Sequence, residues 1–266
     1  GAARRGEGGK RGWGGQAALP NRGLGRDQSS RVLAWTDAAA LSERAEIADM
    51  KLVVLGASGG CGKQLVEQAR ARGHEVTAVV RPSSSYAPPA GVKLAKGEIT
   101  DLAFLAATLR GHDAVLSGLG LRVSGLSPFA SIEVPDLLSR SSPVIVQAMK
   151  DAGVKRLIAV SAGGVGDSYA RMPGVFKVFI KTTALRKVYP ELEVMERTFF
   201  ASGLEVCCAR PTGLTDEPAT GQVKIVETLA GRATIPRADV AAWMLDEVAK
   251  PALAHRAPVL TVTGAG

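Results

Sequence analysis

Hydrophobic and polar residues alternate along most of this chain in a pattern that predicts strands and helices in turn. Short, mostly apolar runs predict a main series of six strands, at 51–56, 75–80, 93–95, 113–120, 156–163 and 204–211. The first run, KLVVLG, is continuously apolar, as expected of a strand that is covered on both faces. Two shorter strands are predicted at 223–227 and 259–263.

Helical spacing of apolar residues separates these strands. The predicted helices lie at 61–72, 101–110, 135–151, 190–203 and 239–250. Asp101 is predicted near a helix N-terminus, and Pro190 and Gly203 at the start and end of one helix. The segment 164–189 is ambiguous, since VFKVFI fits a strand or a short helix, and it is interpreted as a lid. The alternation predicts an α/β fold, a Rossmann-like doubly wound parallel sheet with helices on both faces, in a single domain.

The first 49 residues differ from the rest of the chain in composition. Nine of the 31 glycines occur by position 25, and large aliphatic side chains are few, so the segment has little apolar surface to offset its ordering entropy. We predict a disordered or non-native extension over 1–49 and one NAD(P)-binding domain over 50–266. A targeting or nucleic-acid-binding arm is the alternative, although six acidic residues are unusual in a transit peptide.

The formal net charge of +8 raises the question of a nucleic-acid partner. Residues 1–49 carry eight basic and six acidic residues, and the remaining excess is dispersed along the domain, so we predict no such partner. No stretch approaches the roughly 18 apolar residues of a membrane span. The three cysteines and three histidines are not spaced as metal ligands, so no metal is expected. A cytoplasmic location is predicted, or an organellar one if the extension is native, for a monomer or homodimer.

A glycine-rich loop follows the first strand and opens the first helix. It consists of Gly56, Ala57, Ser58, Gly59, Gly60, Cys61 and Gly62. The GxxGxxG spacing suits a tight turn, a close approach to a pyrophosphate and helix–sheet packing, with the helix N-terminus facing the phosphates. A purely structural glycine turn is the alternative. Cys61 at this helix start is expected to have a lowered thiol pKa, although packing against the cofactor is favoured over a redox role.

The second strand ends at Arg81, where NAD-dependent folds place an acid for the ribose hydroxyl. An arginine suits a 2′-phosphate instead, so NADP(H) is predicted over NAD(H). Glu98 and Ile99, after the third strand, could flank the adenine. Gly118, Leu119 and Gly120 follow the fourth strand and would let the backbone approach the cofactor. Ordinary loop residues are the alternative for both segments.

Seven segments together resemble the atypical short-chain dehydrogenase/reductase family, and within it the group that contains biliverdin reductase B and flavin reductase. They are GASGGCGKQL, VVRP, KGEITD, SGLGLR, MKDAGVKRLIAVSAGG, ERTFFASGLEVCCARPTGLTD and IPRADVAAWMLDEV. The resemblance covers about 50–263. It implies that the glycine loop binds pyrophosphate, that Arg81 binds the 2′-phosphate and that Gly118 to Leu121 line the cofactor. It also implies that Ser161 lies beside the nicotinamide, and that Pro211 and Thr212 approach nicotinamide and substrate, which makes Ser161 and Thr212 the candidate catalytic residues.

Two departures from this pattern bear on the chemistry. None of Tyr86, Tyr169 and Tyr189 has a lysine four residues later, so the Tyr-x-x-x-Lys proton-transfer pair of the wider superfamily is missing. The pocket histidines of the biliverdin and flavin reductase group are missing too, since Thr212 occupies one such position and the helix 190–202 has no histidine. This argues against tetrapyrrole reduction.

Three functions remain open from the sequence. The first is an NADPH-dependent reductase that passes hydride to a small flavin-, quinone- or carbonyl-type acceptor, which needs no strong protein acid when the product anion is delocalised. The second is a binding protein that senses NADP(H) without turnover. A nucleotide-sugar epimerase or dehydratase is the third and weakest, because it normally needs the missing Tyr/Lys pair.

Overall fold

The computed structural model of the chain describes residues 50–228 and 233–263. The extension predicted over 1–49 lies outside the described residues. The strands are β1 (Lys51–Leu55), β2 (Glu75–Val80), β3 (Lys93–Lys96), β4 (Ala114–Ser117), β5 (Arg156–Val160), β6 (Glu205–Pro211), β7 (Gly213–Thr215), β8 (Lys224–Val226), β9 (Thr234–Pro236) and β10 (Val259–Thr261). The α-helices are α1 (Gly60–Ala71), α2 (Leu102–Leu109), α3 (Leu137–Ala152), α4 (Gly174–Thr182), α5 (Leu185–Phe200) and α6 (Arg237–Val248), and a 3-10 helix spans Gly166–Arg171.

Eight strands form one sheet in the order β3-β2-β1-β4-β5-β6-β10-β8. Neighbouring strands from β3 to β10 are parallel, and β8 closes the edge antiparallel to β10. The order reverses between β1 and β4, which is the switch point at which doubly wound sheets bind ligands. The predicted fold class is therefore confirmed. The pair β7 and β9 forms a small second sheet that the sequence analysis did not predict.

Each face of the large sheet carries its own apolar layer. Leu52 and Val54 of β1 pack toward α1 and α6, whereas Val53 and Leu55 pack toward α2, α3 and α5. The same alternation places Cys207 in the first layer and Cys208 in the second. Both cysteines are completely buried, as predicted, and their side chains lie on opposite faces because successive strand residues point to opposite sides.

Most helix boundaries agree with the predicted ones within a few residues, but one helix start was wrong. Helix α5 begins at Leu185, and Pro190 lies inside it; Pro143 likewise lies inside α3. Both prolines are exposed, so water can hydrogen-bond the carbonyl that loses its helical N–H partner, and the disruption that proline causes in a buried helix is reduced. A proline on the solvent face is therefore not a dependable start signal here.

The segment 164–189 is helical rather than extended, which resolves the ambiguity of VFKVFI. Residues 175–180 lie in α4, and Ile180 is the buried residue of that helix. The helical prediction at 101–110 is confirmed in detail, because the Asp101 carboxylate caps α2 by accepting a hydrogen bond from the Phe104 backbone N–H at 3.0 Å. No helix within 50–228 or 233–263 combines the length and apolar character that crossing a bilayer requires.

Candidate functional site

A cleft of about 610 Å³ opens at the carboxyl ends of the parallel strands. Its wall begins with residues that directly follow the strands: Gly56 after β1, Arg81 after β2 and Gly118 after β4. The structure brings most of the predicted binding residues to this wall, namely Gly56, Ser58, Gly59, Gly60, Cys61, Arg81, Glu98, Ile99, Gly118, Leu119, Gly120, Leu121 and Ser161. The cleft therefore lies at the switch point of the sheet, as the fold requires.

The glycine loop is packed so tightly that Gly62, and Gly118 opposite it, have no room for a side chain. Gly56 has a φ of +71°, and its carbonyl accepts a hydrogen bond from the Gly59 N–H at 2.9 Å. A Cβ atom on Gly62 would lie 2.1 Å from the Gly56 carbonyl oxygen, and one on Gly118 would lie 2.9 Å from the Gly62 nitrogen. Ala57 and Gly62 are buried behind the loop, where they hold α1 against the sheet.

The N-terminus of α1 faces the cleft with its positive end uncompensated. The first turn contains no acidic residue, and the N-cap Gly59 provides no side-chain hydrogen bond. Backbone N–H groups in a first helical turn have no intrahelical acceptors, so they are available to an anion. Together with the glycine cradle, this arrangement fits a dinucleotide pyrophosphate.

Arg237 adds a cation beside this loop that sequence reasoning missed. A Cβ atom on Gly60 would lie 2.7 Å from the Arg237 side chain, so the arginine lies directly on the loop. Its Nη1 donates to Asp216 Oδ1 at 2.7 Å, and the Asp216 side chain is 88% exposed. Arg237 begins α6, where a positive charge opposes the helix dipole. A basic residue at a helix start, inside the IPRADV segment, was the signal that could have revealed it.

Cys61 lines the cleft, but the lowered thiol pKa expected from its place at a helix start is wrong. Burial of the side chain raises the pKa of its thiol to about 11, and the nearby Arg237 charge only partly opposes this. Desolvation therefore outweighs the helix dipole, which had been expected to lower the pKa. At neutral pH the group is a protonated thiol on α1 that packs in the apolar layer between α1, α6 and the sheet.

Arg81 stands at the end of β2 with its guanidinium at the cleft. Its Nη1 donates to Glu133 Oε1 at 2.6 Å, and about half of each side chain is exposed. The hydrogen bond from Arg81, together with its charge, holds the pKa of the Glu133 carboxyl below its usual range. Glu133 belongs to the loop after β4 and was not predicted as a site residue, since only the tertiary structure brings it to β2.

Ser161 follows β5 and has a buried, unsatisfied hydroxyl. The residue is 5% exposed, its backbone N–H donates to the Ala209 carbonyl at 2.7 Å, and its Oγ has no hydrogen-bond partner among the described residues. An unpaired buried hydroxyl costs about 1–3 kcal/mol. Such a group on a cleft wall is prepared to bind a polar atom of a ligand.

Pro211 and Thr212 are not brought to this cleft. The Pro211 carbonyl accepts a hydrogen bond from the Gly163 N–H at 2.8 Å, and Thr212 Oγ1 donates to Thr261 Oγ1 at 3.3 Å on β10. Neither residue is part of the cleft wall. The catalytic role predicted for Thr212 therefore stays a prediction without support from its position.

One part of the cleft wall, as far as the described residues show it, is apolar. Its lining includes Leu121, Val134, Leu137, Val188 and Leu192, with Arg140 beside them. Val188 is the single contribution from the predicted lid 164–189 among the described lining residues, so the loop after β4 and the start of α3 cover the cleft instead.

Tyr189 lies next to this apolar part but is not a proton donor. Its hydroxyl donates to the Gly163 carbonyl at 2.8 Å, and burial raises the pKa of the phenol well above its usual range. The wall formed by the described residues contains no tyrosine, lysine or histidine. Among those residues, no group of three or more His, Cys, Asp and Glu is arranged to hold a metal ion.

Comparison with known proteins identifies the family. Residues 56–251 match the sequence model of the NAD(P)H-binding family. The chain belongs to the NAD(P)H-binding family. The matched range begins at Gly56, the first glycine of the loop, and includes every described residue of the cleft wall and all of α6. The resemblance predicted from the sequence is therefore confirmed.

Several curated proteins and solved structures align with this chain over most of their own length. UPF0659 protein YMR090W of Saccharomyces cerevisiae is 24% identical over 226 residues, which cover 81% of this chain and 94% of that protein. The uncharacterized sugar epimerase YhfK of Bacillus subtilis is 28% identical over 216 residues, covering 80% and 94%. The solved structure of ChuY, an anaerobillin reductase from Escherichia coli O157:H7, superimposes with a TM-score of 0.63 at 25% identity, covering 79% and 96%. The chain thus shares its fold with a named reductase, in agreement with the reductase class indicated by the sequence.

Proposed function

We propose that this chain is an NADPH-dependent oxidoreductase that reduces a small flavin-, quinone- or carbonyl-type acceptor. The observation that carries the proposal is the position of Arg81. It stands at the end of β2, where an acid would accept the ribose hydroxyl of NAD, and its guanidinium faces the cleft. A planar guanidinium matches a phosphate, with which it forms two parallel charge-assisted hydrogen bonds.

Different residues of the cleft would bind the pyrophosphate and the nicotinamide. The glycine loop, the α1 N-terminus and Arg237 would hold the pyrophosphate, while Ser161 would donate to or accept from the nicotinamide amide or the acceptor. A bound nicotinamide supplies the hydride chemistry. The protein supplies the apolar wall of Leu121 and Leu192, which excludes water from the acceptor.

The absence of tyrosine, lysine and histidine from the described wall supports this acceptor class. A flavin or quinone spreads the charge of its reduced form over several atoms, so it needs no tyrosine–lysine pair. ChuY is named a reductase, which supports hydride transfer. YhfK is named a sugar epimerase, but this chain lacks the tyrosine–lysine pair that such an epimerase normally needs. A protein that senses NADP(H) without turnover is the alternative, and the absence of that pair favours it as well.

Titration of intrinsic fluorescence with NADPH and NADH tests the cofactor assignment. Arg81→Gln is expected to weaken NADPH binding about 10- to 100-fold, because a charge-assisted hydrogen bond contributes about 1.5–3 kcal/mol, while NADH binding changes little. Arg237→Gln is the matched variant: it removes one cation from the same cleft and should weaken both cofactors alike. Unchanged NADPH binding by Arg81→Gln would contradict the assignment.

An acceptor screen then separates a reductase from a sensor. The screen follows NADPH absorbance with FMN, a benzoquinone and an aromatic aldehyde. Oxidation of NADPH that requires both protein and acceptor supports the reductase. Tight NADPH binding with no oxidation by any acceptor class would favour the sensor.

A further inference from the structure

The loop after β4 folds back on itself and delivers a carboxylate to the cofactor cleft. We call residues 122–133 the β4 flap. Its two arms pair at the Val123–Ile132 bridge, and the Glu133 N–H donates to the Arg122 carbonyl at 3.1 Å. Side chains reinforce the pairing, because Ser131 Oγ donates to Ser124 Oγ at 3.1 Å. The base of the flap is therefore ordered, and Glu133 has a defined position on the cleft wall.

Glu133 lies between two arginines that also line the cleft. Its Oε1 accepts from Arg81 at 2.6 Å, and its Oε2 lies 3.9 Å from Arg122 Nε. The Glu133 side chain is 47% exposed and that of Arg81 is 44% exposed. Exposed ion pairs of this kind contribute only about 0–1 kcal/mol, so a phosphate can replace the carboxylate on Arg81 at small cost.

We propose that Glu133 competes with the 2′-phosphate of NADPH for Arg81 and thereby limits the preference for NADPH over NADH. The inference rests on the proposed function, in which Arg81 binds that phosphate. NADPH must displace Glu133 from Arg81 and then lies close to the displaced negative charge. NADH carries no phosphate there, so the Arg81–Glu133 pair stays intact when it binds.

Arg122 allows the 2′-phosphate to replace Glu133 on Arg81 without leaving the Glu133 carboxylate unpaired. When the 2′-phosphate takes Arg81, the Glu133 carboxylate still has the Arg122 guanidinium beside it. Glu133 would thus alternate between two cations on one wall. A glutamine at this position keeps the size of the side chain but removes the charge that competes.

Glu133→Gln tests the competition by titration with NADPH and NADH. The variant is expected to bind NADPH about fivefold more tightly than wild type, which corresponds to loss of a competing pair worth about 1 kcal/mol, while NADH affinity changes less than twofold. The matched control is Asp246→Asn, which removes one negative charge away from the cleft wall, where Asp246 pairs with Arg72 at 2.6 Å rather than with Arg81. It should leave the ratio of the two affinities unchanged.

A double-mutant cycle separates competition from simple repulsion. In the Arg81→Gln background, Glu133→Gln should no longer improve NADPH binding, because there is no guanidinium left to release. An equal fivefold gain in that background, or no gain in the wild-type background, overturns the inference. The proposed function fails in a different way: wild type would then bind no NADPH, or Arg81→Gln would leave NADPH affinity unchanged.

Discussion

At the scale of single residues, Ser161 is the position where the structure leaves a hydrogen bond unmade. Its hydroxyl is buried on the cleft wall without a partner among the described residues. Ser161→Ala should therefore increase the free energy of unfolding of the ligand-free protein by about 1 kcal/mol, because it removes a desolvated group that gains nothing. The same variant should lower the rate of NADPH oxidation about tenfold, because it removes a hydrogen bond to the ligand.

Ser168→Ala is the matched control for Ser161→Ala, which is expected to raise stability and lower the rate of NADPH oxidation. Ser168 is equally buried, but its Oγ accepts from the Gly164 N–H at 2.9 Å and donates to the Val165 carbonyl at 2.7 Å. Its removal should destabilise the fold by about 1–2 kcal/mol and leave NADPH binding unchanged. Urea unfolding and initial rates give both quantities. A loss of stability in Ser161→Ala would mean that its hydroxyl is already satisfied.

Residues whose role follows from local sequence were predictable, and residues that act through tertiary contacts were not. The glycine loop is recognisable because its spacing directly follows a strand, and Arg81 because it ends the next one. Glu133 reaches the same cleft from a distant loop and no local pattern indicates it, whereas Arg237 had only the weak signal of a basic residue at a helix start. Thr212 was named only because of the resemblance; its hydroxyl contacts Thr261, and its catalytic role stays a prediction.

At the scale of elements, a buried ion pair joins β6 to α5. The Arg210 guanidinium of β6 donates from Nε to Glu196 Oε1 at 2.9 Å and from Nη2 to Oε2 at 2.6 Å. A third bond joins its Nη1 to Asp167 Oδ1 at 2.7 Å, and this contact holds the pKa of the Asp167 carboxyl below its usual range. The Arg210 and Glu196 side chains are only 3% and 4% exposed, so each charge depends on the other for its solvation.

Breaking this pair on one side should cost far more than removing it entirely. Arg210→Met leaves the Glu196 carboxylate buried without its cation, and we expect a loss of about 3–5 kcal/mol in the free energy of unfolding. Arg210→Met combined with Glu196→Leu should recover most of that loss. Arg72→Met, at the exposed pair with Asp246, should change stability by less than about 1 kcal/mol. Urea unfolding measures all three, and an additive double variant would contradict coupling between the two charges.

Strand and helix order was accessible from the sequence because apolar runs and helical spacing reflect burial directly. The start of α5 could not be predicted in this way. Proline is common at the first position of a helix, so Pro190 was taken as the helix start. Pro190 instead occupies the solvent face inside the helix. The small β7–β9 sheet also escaped prediction: each strand has three residues, too few for alternation to be distinguished from a loop.

At the scale of the whole molecule, the described wall of the cofactor cleft carries more basic than acidic side chains. Four arginines line it, at positions 81, 122, 140 and 237, against the two carboxylates of Glu98 and Glu133. A cleft lined by one sign of charge attracts ligands of the other sign. The excess of arginines over glutamates on the described cleft wall therefore suits an anionic dinucleotide.

The salt dependence of binding should distinguish the two dinucleotides. The 2′-phosphate adds about −1.5 to −2 charges at neutral pH, so NADPH gains more from the arginines of the cleft than NADH does. Between 50 and 500 mM KCl the screening length falls from roughly 14 to 4 Å, and we expect the Kd for NADPH to rise about tenfold and that for NADH about threefold. In Arg81→Gln the salt dependence of the Kd for NADPH should come close to that for NADH, because the 2′-phosphate no longer has the Arg81 guanidinium as its partner. Equal salt dependences in wild type would mean that the 2′-phosphate binds outside the basic part of the cleft, and the assignment of Arg81 would then be wrong.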